Sequence, residues 1–196
     1  TVGMTPELQR LMLGSKEVNG AYAALVGATV TRMSQLIAPL MFGGSPVHVM
    51  GGTNDIAGGR SLQAIVNDLG ALAASVAERG GIPVVSTIPP MSDPWRRERV
   101  AALNAEIERQ SKLGSWRLSH AGHAPMAVPG TDGVHPSPAG YANMAKVALA
   151  ASMEASMTGV GTSTGPTAQP PQGGLGGVAV AAGVVIGAAL LWKLVD

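Results

Sequence analysis

Short apolar runs alternate with segments of helical spacing along most of this chain, and that alternation restricts its fold more than any other feature. Pro46–Met50 and Ile82–Ile88 have strand length, and each is stopped abruptly, the first by Gly51-Gly52 and the second by Pro89-Pro90. Between them Leu62, Ile65, Val66, Leu69, Leu72 and Val76 recur on one side of a helix that Ser61 caps and Gly80-Gly81 ends. The same reading predicts a helix from Pro6 to about Leu13 with Thr5 as its cap and a short strand within Lys16–Leu25. It also predicts helices over Thr29–Leu40 and Trp95–Leu113, a last strand at Trp116–Leu118, and a helix opened by Ser137-Pro138 that runs to about Met153. Strands alternating with helices of this length imply an α/β fold, a parallel sheet covered on both faces. The chain is 46% apolar and 13% charged, so a buried core is expected, filled by Ala, Val, Leu and Met because aromatics are scarce.

Composition divides the chain into three regions: an α/β domain over 1–157, a Gly/Thr/Pro/Gln linker over 158–172, and an apolar segment over 173–196. From Gly173 to Trp192 there is no charge, and a helix of that length is about 30 Å long, the thickness of a bilayer core. The segment therefore reads as a transmembrane helix, a single-pass C-terminal anchor with Trp192 and Lys193 at its end. Lys193 favours the cytoplasmic side for that end and places the domain outside. Ala179, Gly183 and Gly187 recur every four residues, a spacing that lets two such helices associate in lipid as a homo-oligomer. The net charge of +1, with basic residues scattered, gives no nucleic-acid footprint. The absence of cysteine excludes disulfides and thiolate metal sites. The spacing of His120, His123 and His135 is irregular and no second-acid pattern accompanies it, so neither a metal nor a cofactor is expected.

In a parallel sheet, ligands bind where loops leave the carboxyl ends of the strands. Three polar clusters fall there: Gly27-Ala28-Thr29, Gly51-Gly52-Thr53-Asn54-Asp55, and Thr131-Asp132-Gly133-Val134-His135-Pro136. An Asp three residues before a His can hold one imidazole nitrogen and leave the other as a general base. An Asn amide and a Gly backbone N–H are suitable donors to a developing oxyanion. Together these groups form an acyl-transfer site that lacks only a nucleophile. Taken singly, the Asn54-Asp55 and Asp132-Gly133 pairs are also ordinary turn formers. His48, inside a strand, reads as a hydrogen-bonded structural residue, and His120 and His123 as solvated residues bordering the pocket. Arg96, Arg97 and Arg99 with Glu98 read as a solvated helix face.

The blocks Gly27-Ala28-Thr29, Gly51-Gly52-Thr53-Asn54-Asp55 and Asp132-Gly133-Val134-His135-Pro136, in that order, resemble the Gly, Asn and Asp-His blocks of the SGNH/GDSL hydrolases. Ile82–Ile88 with Pro89-Pro90, and Leu103-Asn104, look like the segments between those blocks. The resemblance covers about residues 1–152 and implies a three-layer, flavodoxin-like parallel sheet. By position it makes His135 the base, Asp132 its orienting partner, and Asn54 and the Gly27 N–H the oxyanion-hole donors. The family's Gly-Asp-Ser block does not occur. Thr1-Val2-Gly3 followed by Pro6-Glu7-Leu8 looks like the continuation of that block, which puts the serine two positions before Thr1 and takes the first strand with it. A second register places Thr5 at the serine position. The implied activity is hydrolysis of a carboxylic ester, such as an acetyl, carbohydrate, lipid or peptidoglycan ester. The alternative is a catalytically inactive, membrane-anchored structural or binding protein on the same scaffold, in an envelope or virion.

Overall fold

The computed structural model of the protein describes residues 20–125, 129–130, 132–158 and 183–189, and for 20–26 and 183–189 it describes the backbone alone. The expected helix at Pro6–Leu13, with Thr1 and Thr5, lies outside these residues, as do 159–182 and 190–196. Strand β1 (Gly20–Val26) leads through Gly27 into helix α1 (Val30–Ile37), whose first turn is capped by Thr29 Oγ1 accepting from Arg32 N. This helix is shorter than its apolar spacing suggests: Ala38 keeps helical backbone, but Pro39 has no N–H with which to continue the ladder. Strand β2 (Pro46–Met50) is followed by the short helix α2 (Thr53–Ala57) and the long helix α3 (Leu62–Glu78), which Ser61 caps as expected. Then come β3 (Ile82–Ser86), α4 (Pro94–Lys112), capped by Asp93 with Pro94 in the first turn, β4 (Arg117–Ser119), and a 3₁₀ turn over Ala121–His123. Helix α5 (Pro138–Thr158) runs on past Met153 to the point where the linker was expected to begin.

All strand pairs are parallel, in the order β1-β5-β2-β3-β4. Helices α1, α3 and α4 cover one face. Val30, Met33, Ile37, Leu69, Leu103 and Ile107 are buried there against Val47, Val49 and Val85. Each of the larger side chains contributes roughly 1.5–3 kcal/mol by leaving water. Helix α5 covers the other face with Met144, Ala145 and Ala148, joined by Ala121 and Ala124 of the turn after β4. The result is the three-layer α/β arrangement implied by the sequence.

The central strand β5 (Gly183–Ala189) departs from expectation. The charge-free segment reads as a transmembrane helix, yet residues 183–189 form a strand that pairs with β1 on one side and β2 on the other. The reason is physical. A central strand of a parallel sheet is apolar throughout, so a charge-free run does not by itself separate strand from helix. Val184, Val185 and Ile186 are β-branched and favour the strand, while Gly183 and Gly187 weaken a helix. Gly183 and Gly187 therefore stand opposite Gly20 and Ala24 in a sheet ladder, and do not form the helical face expected for a homo-oligomer. Ala179 lies outside the described residues. Among the described residues no helix is long and apolar enough to cross a membrane.

Candidate active site

The candidate residues gather at the carboxyl edge of the sheet. Gly27, at φ +71°, turns the chain out of β1 toward α1. At the end of β2 the double glycine is favoured by space at both positions and by conformation at Gly52. A Cβ at Gly51 would stand 2.7 Å from Met33 Sδ. One at Gly52, which has φ +114°, would stand 2.7 Å from Leu103 Cδ2. This tight exit delivers Asn54 to the Gly27–Ala28 turn, where its Nδ2 donates to the Ala28 carbonyl at 2.8 Å. The Gly and Asn blocks are thus joined directly.

Asp55 locks that junction. It is fully buried; Oδ2 accepts from the Val30 N–H at 3.0 Å, and Oδ1 accepts from Arg60 Nη1 at 2.6 Å. Arg60 also reaches Asp68 Oδ2 at 2.9 Å, and its hydrogen bonds to Asp55 and Asp68 raise its pKa. Asp55 therefore holds the start of α1 against the start of α2. The sequence offered it only as part of the Asn block.

Asp132 and His135 form the second group. Asp132 Oδ2 is 2.5 Å from His135 Nδ1, and Oδ1 accepts from the backbone N–H groups of Val134 and His135 at 2.9 and 2.8 Å. Burial pushes the Asp132 carboxyl up, but the two backbone N–H groups and the imidazole outweigh it and hold its pKa down at about 2. With Nδ1–H given to the carboxylate, the lone pair of the neutral ring is on Nε2, as a general base requires. The loop closes on itself through Gly130 N to His135 O at 2.6 Å and the Pro129–Pro136 bridge. Tyr141, at the start of α5, is near enough to feel Asp132. Burial and that negative charge push its phenol up to about 12.

The two groups make no hydrogen bond to each other. They lie on the same edge, because the loop leaving β3 touches the Asp132–His135 loop through Ser92 and Gly133. Strand β5 ends between the Gly27 turn and the Asn54 turn, with Ala189 opposite Val26 and Gly187 opposite Met50. The strand that runs to the middle of the site therefore ends in Ala188-Ala189, which carry no nucleophile. Asn104, buried in α4, pins Ile88 beyond the end of β3 by accepting from its N–H and donating to its C=O, both at 2.9 Å.

Among the described residues, Glu108, His120 and His123 cluster closely enough to suggest a metal. Asn104 Nδ2 faces His123 Nε2 at 3.3 Å, which leaves the ring proton on Nδ1, the nitrogen turned toward Glu108. That tautomer does not suit a ligand to an ion held between them. His48, expected to be hydrogen-bonded, is buried, and among the described residues neither ring nitrogen has a partner. Arg97, exposed as expected, and Arg99, half-buried, also donate to backbone carbonyls of Met91, Ser92 and Arg60.

A family model described as the GDSL-like lipase/acylhydrolase family matches residues 3–142 of the 196. The chain belongs to the GDSL-like lipase/acylhydrolase family. Solved structures with the same fold include a lipolytic G-D-S-L family protein from Veillonella parvula, 18% identical, with a TM-score of 0.64 over 76% of this chain and 86% of that one. A GDSL-like lipase from Bacteroides thetaiotaomicron is 25% identical, with a TM-score of 0.54 over 66% of this chain and 73% of that one. A catalytic mutant of an acetylxylan esterase from Geobacillus stearothermophilus is 17% identical, with a TM-score of 0.60 over 76% and 80% of the two chains. No curated protein matches the chain. Membership of the GDSL-like family is consistent with the Gly, Asn and Asp-His blocks occupying one edge of the sheet.

Proposed function

We propose that this protein is a serine esterase that hydrolyses a carboxylic ester, with the serine carried on a segment preceding Thr1. The observation that carries this reading is the Asp132–His135 pair at 2.5 Å, its carboxylate fixed by two backbone N–H groups, on the sheet edge that also holds Asn54. His135 Nε2 takes the serine proton as the hydroxyl attacks the acyl carbon, while the Gly27 N–H and the Asn54 amide stabilise the tetrahedral oxyanion. The same nitrogen returns the proton to the leaving alkoxide, then deprotonates the water that cleaves the acyl-serine and releases the acid and the free serine. An acetyl ester of a carbohydrate is the substrate we favour, supported by the fold shared with an acetylxylan esterase.

A second reading, an inactive scaffold, draws on β5. The slot between β1 and β2 takes one strand, and here that strand ends in Ala188-Ala189. Membrane attachment through 173–192 requires residues 183–189 to leave that slot.

Two forms decide between the readings: one beginning at Thr1, and one extended by the residues that precede it. The esterase reading expects that only the extended form hydrolyses p-nitrophenyl acetate and reacts with a fluorophosphonate probe at a serine. In that form His135→Ala should lower kcat at least about 1000-fold, and Asn54→Ala about 100- to 1000-fold. Labelling of Thr1 or Thr5, or an unchanged rate in folded His135→Ala, would overturn it.

A further inference from the structure

The loop that carries Asp132 and His135 is shaped mainly by its own hydrogen bonds: Gly130 N to His135 O, Gly133 N to Gly130 O, and Val134 N and His135 N to Asp132 Oδ1. These fix its internal form. They do not orient it on the sheet. Among the described residues, its hydrogen bonds to the loop leaving β3 come from Ser92. The Ser92 backbone N–H and Oγ both donate to the Gly133 carbonyl, at 2.8 and 3.0 Å. Gly133 has φ +74°, and a Cβ there would stand 2.1 Å from Ser92 Oγ, so a side chain at this position would be strained and would push Ser92 aside.

Ser92 is itself held from behind. Arg97, in the first turn of α4, donates from Nε to the Met91 carbonyl at 3.1 Å and from Nη2 to the Ser92 carbonyl at 2.6 Å. A planar guanidinium that grips two successive carbonyls fixes the direction of the segment as well as its position. Packing of Val134 against the core holds the loop from beneath, but the Ser92 side is loosely packed. Cavities of about 360 and 330 Å³ open beside Arg97, and both are lined by Pro90 and Arg97. Asp93 caps α4 between the two ends of the contact, so the strut rises from a rigid helix start.

We propose that Arg97 is a positioning residue for the Asp132–His135 pair, acting through Ser92 and Gly133. The inference rests on the esterase reading for its purpose, but its physical content concerns the pair alone. Without the guanidinium the Met91-Ser92 carbonyls turn to solvent, the Ser92 donors lose their aim, and the imidazole is no longer held on the sheet edge. The carboxylate–imidazole bond then opens more often.

The test reads that bond directly. In the form beginning at Thr1, proton NMR should show a low-field line from the His135 Nδ1–H held by Asp132. Arg97→Ala should speed exchange of this proton with water about tenfold, the change expected from losing a charge-assisted hydrogen bond, with the far-UV circular dichroism unchanged. Arg97→Lys, which can still reach one carbonyl, should fall between the two. Arg97→Gln provides a milder variant if alanine compromises folding. In the extended form, Arg97→Ala should lower kcat while leaving KM unchanged, because the strut touches no substrate. Unchanged exchange in both Arg97→Ala and Arg97→Gln overturns the proposal, and so does the absence of the low-field line in the unaltered protein. The line needs no turnover, so failure of ester hydrolysis and failure of the strut are separate results.

Discussion

Acidification should weaken this fold through His48, and replacing His48 with leucine should remove that weakness. His48 sits on β2 between Val47 and Val49, which point into the core under α1 and α3. Strand alternation turns it toward the face covered by α5. It is 1% exposed, and neither ring nitrogen has a hydrogen-bond partner among the described residues. Burial lowers its pKa from 6.5 to about 4. The folded protein therefore keeps the ring neutral at a pH where the unfolded chain has already taken up a proton. Above about 6.5 both states are neutral and the group adds no pH dependence. Between 6.5 and about 4 the unfolded state binds more protons, so stability falls as pH falls, and below 4 the loss is complete. At 1.36 kcal/mol per pKa unit, the full loss is on the order of 3 kcal/mol. Urea unfolding at several pH values between neutral and 4 measures it. His48→Leu has similar volume and buries no polar atom, so it should be more stable at neutral pH and should lack this component of the slope. Comparing the two proteins at each pH cancels the carboxylates they share. If their stabilities fall in parallel on acidification, the reasoning is wrong.

Asp55→Ala should cost roughly 1–3 kcal/mol in urea unfolding, because the buried Val30 N–H loses its acceptor while Arg60 keeps Asp68, and a loss below about 0.5 kcal/mol would sink the account of that junction. Deleting residues 173–196 should destabilise the domain by uncovering the facing edges of β1 and β2, seen as faster proteolysis of β1. An unchanged proteolysis rate would show that β5 does not complete the sheet.

The layered fold was legible because its evidence is local. Gly51-Gly52 and Gly80-Gly81 punctuate the chain, Ser61 caps α3, and the spacing from Leu62 to Val76 marks the buried side of one helix. The Asp132–His135 pair was legible for the same reason, since three residues of turn suffice to bring the groups together. What stayed hidden depends on distant partners. Asp55 meets Val30 across twenty-five positions, and Ser92 meets Gly133 across forty-one. Nothing in the local pattern of Arg97 separates a strut from a solvated cation, because its acceptors are backbone carbonyls presented by a loop. His48 was misjudged in the opposite direction, as a strand position says where a ring points but not whether anything there can bond to it.

The C-terminal segment shows where local reasoning stops altogether. A charge-free run must give every backbone N–H and C=O a partner once it leaves water, and it can do so within itself as a helix or with neighbours as a central strand. Its absence of charge does not choose, and its β-branched residues only lean toward the strand. The choice lies in whether β1 and β2 offer a slot, and residues 183–189 fill that slot with partners on both sides. The same slot leads to the point between Gly27 and Asn54 where an acyl-transfer nucleophile belongs. Whichever strand occupies it therefore supplies the residue that faces the ester. With β5 in place, the strand that reaches that point ends in Ala188-Ala189, neither of which carries a nucleophile. On the esterase reading proposed above, the serine has to reach the point where β5 ends.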